Sequence, residues 1–357
     1  MTNQNKTLSL FKDLVRFPSL SHEEKDIADY VASYIGRQSL AAQRVDNNVY
    51  VALGSGENCL LLNSHLDVVP PSESHPYPPF DATEKDGCIW GRGTVDAKAS
   101  GTAMLRALVE LSEEGWQPAQ GKLIVALTTC EEVGGDYNGL QTLRAHLPTL
   151  SAALVGEPTE LAPCIAQKGL LILKVNARGT SAHAARAHLG ENAIYAAARD
   201  LLKLEHFSFE KTDPYLGKPT LAATTISGGK TRNMIPDLCT FYLDIRSTPA
   251  YSHEEIIALM SEYLESEVEV HSKRIVPAAT KDDSLIVQAC LKALPDKKPF
   301  GSPTTSDWIH LTDVPTVKIG PGPSQRSHTP HEHIEIDELL NGVVVYKRII
   351  VEYFSNI

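Results

Sequence analysis

The sequence has no apolar run approaching the ~18 residues that a membrane-spanning helix needs. It has no C-x-x-C pair. Its six cysteines (Cys59, Cys88, Cys130, Cys164, Cys239 and Cys290) stand far apart, which excludes a disulfide scaffold and predicts reduced thiols in the cytoplasm. A basic excess is also missing. Thirty-three Lys and Arg against 44 Asp and Glu leave a net charge of -11, so nucleic acid and anionic membranes are not expected partners. The opening residues, Met1-Thr2-Asn3-Gln4-Asn5-Lys6, lack the apolar core of a secretory signal, which again predicts a cytoplasmic protein. Repeats and low-complexity tracts are absent as well. What is present is an ordinary globular composition, 42% hydrophobic and 22% charged, on 357 residues. That length exceeds what one core usually supports, and two domains are expected.

The patterning along the chain predicts where they divide. Leu8, Leu10, Phe11, Leu14 and Val15 have helical spacing that halts at Pro18. Ser21 and Glu24 have the spacing of a capping box for a second helix, with Ser21 as N-cap. Strands are expected at 49–53, 59–62, 122–129 and 152–155, a long surface loop at 70–91, and a strong helix at 99–113. Strands alternating with helices predict an α/β fold with a doubly wound, mostly parallel sheet. From about residue 166 the order becomes strand (169–177), helix (192–204), strands (221–226 and 240–245), helix (253–263) and strand (268–275). That order is the ferredoxin-like α+β unit. Helices at 284–294 and 337–353, with a strand at 315–319, then resume the first pattern. The expected division is a discontinuous domain, 1–165 and 277–357, with an insertion at 166–276.

The run Leu60-Leu61-Leu62-Asn63-Ser64-His65-Leu66-Asp67-Val68-Val69-Pro70 delivers a histidine and, two residues on, an aspartate. On a buried strand the two share one face. A metal-ligating imidazole commonly has a carboxylate partner, although a solvated turn would read the same in isolation. The other strand ends decide between these readings. Asp96 precedes the helix at 99–113, Glu131 and Glu132 follow the strand at 122–129, Glu157 follows the strand at 152–155, and His328 lies in a late loop. Open α/β sheets bind ligands outside the carboxyl ends of their strands, so these groups are expected around one crevice. Carboxylates gathered there need cations. Two imidazoles and three carboxylates suit a pair of divalent ions, zinc first, with cobalt or manganese as alternatives. Two such ions balance three carboxylates and a bridging hydroxide, which leaves one of Glu131 and Glu132 free as general base.

Ser64-His65-Leu66-Asp67-Val68-Val69-Pro70, Gly91-Arg92-Gly93-Thr94-Val95-Asp96-Ala97-Lys98, Glu131-Glu132, Gly156-Glu157-Pro158-Thr159 and His328 occur in an order that spans nearly the whole chain. As a set they resemble the co-catalytic zinc family of acetylornithine deacetylase, succinyl-diaminopimelate desuccinylase, aminoacylase and glutamate carboxypeptidase. The resemblance implies that Asp96 bridges two metal ions, that His65 and Glu157 complete one site, and that Glu132 and His328 complete the other. It also implies that Asp67 orients His65 and that Glu131 is the base. Gly179-Thr180-Ser181-Ala182-His183-Ala184-Ala185 resembles the family segment whose histidine stabilises the oxyanion, often across a dimer interface. Asn233 and Arg246 resemble the substrate-binding residues of the inserted lid, which also implies a homodimer through that domain. An Arg fork suits the free carboxylate of an amino acid. One departure is Thr129-Cys130, where many relatives carry an acidic residue; only an indirect effect is expected there.

The activity so implied is metal-dependent hydrolysis of the amide of an N-acyl amino acid, first N-acetylornithine deacetylation in arginine biosynthesis. The alternatives are N-succinyl-diaminopimelate, N-acetyl-citrulline, N-acetyl-lysine and di- or tripeptides. A non-catalytic metal-binding relative would lack a ligand or the base, and none is missing. His331 and His333, in a charged setting, read as a solvated loop. The segment Thr304-Thr305-Ser306-Asp307 lies in the returning part of the first domain and is not assigned to the site. Gly228-Gly229-Lys230-Thr231 has no glycine at position 224 and reads as a turn rather than a phosphate loop.

Overall fold

The computed structural model describes residues 2–133 and 137–357. The chain divides into two compact units. The first comprises Met1–Ile165, Thr280–Phe300 and Ser306–Ile357; the second comprises Ala166–Ala279 and Gly301–Thr305. In chain order the first stretch contains α1 (Asn3–Val15), α2 (Lys25–Arg37), β1 (Ala42–Val45), β2 (Asn48–Gly54), β3 (Asn58–His65), β4 (Thr83–Lys85), β5 (Cys88–Trp90), α3 (Lys98–Glu113), β6 (Gly121–Thr128), α4 (Gly139–Arg144), β7 (Ala152–Val155) and β8 (Cys164–Gln167). Then follow β9 (Gly169–Arg178), α5 (Ala193–Glu205), β10 (Thr220–Gly228), β11 (Leu238–Ser247), α6 (His253–Tyr263), β12 (Glu267–Ile275) and β13 (Ala278–Ala279). The last stretch contains α7 (Leu285–Ala293), β14 (Phe300–Ser302), β15 (Thr316–Lys318), β16 (His333–Glu335) and α8 (Ile336–Phe354).

The first unit is built on a mixed sheet whose centre, β6-β3-β7-β15, is parallel. β2 joins β6, and β1 joins β2, antiparallel. β3 is buried from Cys59 to His65, as a strand covered on both faces must be, and its continuous apolar run follows from that. Its register aligns His65 with Thr128 of β6 and Asn63 with Val155 of β7. The carboxyl ends of three parallel strands are therefore level, and the residues just after them emerge together. α3 is buried nearly all round because it lies between the sheet and the helices α1 and α8. Among the described residues no helix is long and apolar enough to cross a membrane.

The second unit has an antiparallel sheet in the order β10-β11-β9-β12. β9 alternates buried and half-buried residues, and Leu171, Leu173, Val175, Phe241, Leu243 and Ile245 pack with Ala197 and Leu204 of α5 and Ile256 and Met260 of α6. The edge strand β10 is exposed along almost its whole length.

Several expectations need correction. Ser21 is not an N-cap: α2 starts at Lys25 with Glu24 as its cap residue and no capping side-chain hydrogen bond. The Ser21 hydroxyl instead donates to Asp67 at 2.7 Å. The expected loop at 70–91 contains the hairpin β4–β5, and β5 pairs with β16, so His333 belongs to a strand and not to a solvated loop. α4 and β8 were not expected at all.

Candidate metal centre and hydrolytic site

His65 is the last residue of β3. Its Nδ1 lies 2.9 Å from the backbone carbonyl of Asp67, which therefore accepts the ring hydrogen. That bond leaves the lone pair of neutral imidazole on Nε2. Nε2 faces the Asp96 carboxylate at 3.1 Å and the Glu157 carboxylate at 3.8 Å. A lone pair aimed between two carboxylate oxygens is repulsive unless a proton or a cation lies between them. The same holds opposite. His328 Nε2 lies 3.3 Å from Asp96 and 3.0 Å from Glu132.

Three groups of side chains bring their ligand atoms within 4.8 Å of one another: His65, Asp96 and Glu157; Asp96, Glu132 and His328; and His65, Glu131 and Glu132. The first two share Asp96. The donor atoms are imidazole nitrogens and carboxylate oxygens, the set that zinc, manganese and cobalt accept, so the residues present fit a pair of divalent ions.

The charges point the same way. Burial raises Glu131 well above the usual carboxylate range, and its neighbours Glu157, Asp307 and Glu132 add to the rise while His65 opposes it. Burial also pushes Glu157 up to about 8, with Asp96 adding to the effect, and it raises Glu132 against the pull of His328. Burial works against charge on Asp96 too, but hydrogen bonds from His328 and His65 hold it well below the usual range. Hydrogen bonds to Asp96 and Glu132 lift His328 to about 10. Burial opposes charge on His65, yet Asp67 and Asp96 hold it well above its ordinary value. Without ions, the imidazoles and some carboxylates must carry protons to keep this cluster together, and cations would replace those protons.

Asp67 acts in two ways, of which only one was expected. Its backbone carbonyl, rather than its carboxylate 3.5 Å away, is the nearer partner of His65. Its carboxylate accepts the backbone N–H groups of Glu131 and Glu132, both at 3.1 Å, and the Ser21 hydroxyl. These bonds fix the turn that displays the two glutamates. Glu24 supports the same turn by accepting from the Cys130 backbone N–H at 3.1 Å and its thiol at 3.2 Å. Cys130 thus fills the position of the usual acidic residue as a donor, with φ 56°. Gly134 and Gly135, which close this motif in the sequence, lie outside the described residues.

Three further groups were missed. Ser327 donates to Asp96. Glu332 is buried rather than solvated. Asp307 is also buried and accepts from Asn63 at 3.0 Å, Thr128 at 3.3 Å and Asn138 at 2.8 Å. Only the loop containing Asp307 was visible in the sequence; nothing local marks the burial of Glu332.

His183, Asn233 and Arg246 lie in the second unit. His183 and Met234 form a β-bridge, and the Ala184 N–H donates to the Asn233 carbonyl. The Ala185 N–H donates to His183 Nδ1 at 3.1 Å, which puts the ring hydrogen on Nε2. Arg246, near the end of β11, donates to Asp244 through Nε and Nη2.

A sheet with a parallel centre, whose strand ends and neighbouring loops gather two imidazoles and four carboxylates around shared ligand positions, defines the class as an α/β metallohydrolase. The chain belongs to peptidase family M20/M25/M40, whose family model matches residues 61–352. It is 24% identical over 402 residues to a probable succinyl-diaminopimelate desuccinylase of Staphylococcus aureus (strain MRSA252), covering 99% of this chain and 98% of that protein. Among solved structures, aminopeptidase PepT from Bacillus cereus ATCC 10987 superposes with a TM-score of 0.79 at 22% identity, covering 98% of each chain. The YXEP protein of Bacillus subtilis, described as a dinuclear metal-binding peptidase of the M20 family, superposes with a TM-score of 0.77 at 14% identity over 99% of each chain.

Proposed function

We propose that the protein hydrolyses the amide bond of an N-acyl amino acid, with N-succinyl-diaminopimelate as the first substrate to test. N-acetylornithine, placed first by the family resemblance and tied to arginine biosynthesis, takes second place because the matched staphylococcal relative is named for desuccinylation. N-acetyl-citrulline, N-acetyl-lysine and short peptides complete the set, the last supported by the fold shared with PepT. The observation that carries the reading is the pair of ligand groups sharing Asp96, with Glu131 beside them.

His65, Asp96 and Glu157 would hold one ion, and Asp96, Glu132 and His328 the other. Zinc is the first candidate, with cobalt and manganese as alternatives. When bound, two divalent ions supply the positive charge that polarises the amide carbonyl and acidifies water. Glu131 takes the proton from the attacking water and returns it to the leaving nitrogen, a task suited to a carboxyl raised by burial. Asp67 holds Glu131 in place through the backbone. His183, whose Nε2 carries the hydrogen, and Asn233 are assigned to the oxyanion, in the same chain or across a dimer. Arg246 is assigned to the substrate carboxylate, which would displace Asp244 from its guanidinium. A homodimer through the second unit is supported by the exposed edge β10 and by Tyr195 and Leu202 of α5, 67% and 63% exposed.

The test is kcat/KM over this substrate panel, with and without a chelator. Chelation is expected to stop turnover, and turnover that survives complete metal removal refutes the proposal. Glu131→Gln is expected to lower kcat by about 10²–10⁴-fold with the number of bound ions unchanged.

A further inference from the structure

Glu332 follows His328 by four residues, and its side chain has 0% exposure. Its two oxygens are used differently. Oε1 accepts the backbone N–H groups of Val95 at 3.1 Å and Asp96 at 3.3 Å. Oε2 accepts from the Arg92 guanidinium. The Glu332 carbonyl accepts the Gly91 N–H at 3.2 Å. One residue therefore ties the loop that displays Asp96 to the loop that displays His328. Ser327, in the same segment, donates to the Asp96 carboxylate. Asp96 is thus held at its backbone by Glu332 and at its side chain by Ser327, both one or more residues away from His328.

The Arg92 guanidinium and two backbone amides hold this buried carboxylate from both of its oxygens, and none of the three ligand groups includes it. We propose that Glu332 is a positioning residue that sets the separation of Asp96 from His328 and thereby the affinity of the ion held by Asp96, Glu132 and His328. This rests on the two-ion reading given above. The ion held by His65, Asp96 and Glu157 depends less on Glu332, because His65 and Glu157 belong to other strand ends.

The test is a calorimetric titration of chelator-stripped, full-length protein with Zn²⁺, comparing wild type with Glu332→Gln. A glutamine can satisfy the two amides or face Arg92 with its oxygen, but not both. The wild type is expected to take up two ions. The variant is expected to bind the first with unchanged affinity and the second about 10–100-fold more weakly, the range typical for groups that orient metal ligands. If Glu332→Gln does not fold, as judged by circular dichroism, Glu332→Asp keeps the charge beside Arg92 but withdraws the oxygens by about 1.5 Å. It is expected to give the same selective loss. Two ions bound with wild-type affinities, or equal weakening of both, overturns the inference while leaving the two-ion reading intact. Wild-type protein that binds no Zn²⁺ overturns that reading and this inference with it.

Discussion

Replacing Asp67 by Asn separates the two tasks of this residue. The carboxylate is fully buried (0% exposed) and accepts three donors: Glu131 N–H on Oδ1, and Glu132 N–H and Ser21 O–H on Oδ2. An amide offers one acceptor and one donor. Its best orientation keeps the oxygen toward Glu132 and Ser21 and turns its NH₂ toward the Glu131 N–H. One buried N–H then loses its partner, at a cost of about 1–3 kcal/mol. The two remaining bonds lose their charge assistance, about 1 kcal/mol each. Burying a neutral group in place of an ion returns part of this. The net loss of stability is expected at roughly 2–4 kcal/mol. The Asp67 carboxyl is held below its ordinary 3.8, since its contacts with His65, Ser21 and the Glu132 N–H outweigh burial. Its contribution is therefore complete near neutrality and is lost only as pH falls through that lowered value.

The functional consequence falls on Glu131, because the bond that is lost is its own N–H. A displacement of about 1 Å in a reacting group costs about 100-fold in rate. The expected result is kcat reduced about 100-fold with His65 still competent, since the Nδ1 hydrogen bond goes to the Asp67 backbone carbonyl, which the variant keeps. Steady-state kinetics with elemental analysis of bound metal checks both parts. An Asp67→Asn protein that loses the ion at His65 while keeping the Glu131 turn would show that the carboxylate orients the imidazole. Unchanged kcat would show that the turn is held by other contacts.

Two further outcomes follow from charge and packing. Glu157, raised to about 8, and His328, raised to about 10, bind protons more tightly in the folded chain than in the unfolded one. In the ion-free protein their contribution to stability is greatest on the acid side. It is lost as pH rises from 4.5 to about 8 for Glu157 and from 6.5 to about 10 for His328. Ion-free protein is expected to melt at lower temperature at about pH 9 than at about pH 6, and metal binding near pH 7 is expected to release protons and tighten as pH rises. Calorimetry in buffers of different ionisation heat reads the release, and no release at pH 7 counts against the assignment. The same substitution is expected to act in opposite directions at two glycines. A Cβ at Gly320 would lie 2.2 Å from Ser100 Oγ and 2.5 Å from the Glu157 carbonyl, so Gly320→Ala is expected to destabilise by about 1–3 kcal/mol. Gly36, within α2, meets nothing within 4 Å, so Gly36→Ala is expected to stabilise by about 0.4–1 kcal/mol in a thermal melt.

What was legible in the sequence was what local pattern determines. The run ending at His65 read as a strand because both its faces are covered, and the level strand ends followed from a parallel sheet. The hairpin β4–β5 did not, because each strand is 3 residues long and its partner β16 is far along the chain. Ser21 had the right neighbours for a cap, but its hydroxyl is taken by Asp67, 46 residues away. Glu332 lies between two histidines in a charged segment, and its partners, Arg92 and the Val95 and Asp96 amides, lie 240, 237 and 236 residues earlier. α4 was readable in principle, since Asn138 accepts from the Gln141 N–H as an N-cap does.

These misses share a cause that bears on how the site works. A carboxylate that grips an ion and one that grips a backbone amide look alike in sequence, and the site uses both kinds. Asp67 binds the turn carrying Glu131 and Glu132 to the end of β3; Glu332 binds the loop carrying Asp96 to the loop carrying His328. Each places reactive groups without touching an ion, held by its own set of donors: two amides and a hydroxyl for Asp67, two amides and Arg92 for Glu332. Burial raises Glu131, Glu132 and Glu157, and it also raises Asp307 and pushes Glu332 up to about 7 against the pull of Arg92. What sets Glu131, Glu132 and Glu157 apart from Glu332 and Asp307 is that their oxygens gather within 4.8 Å of imidazole nitrogens and of other carboxylate oxygens. That gathering, more than the number of acidic residues or the direction in which burial moves them, marks where positive charge would come from outside the chain.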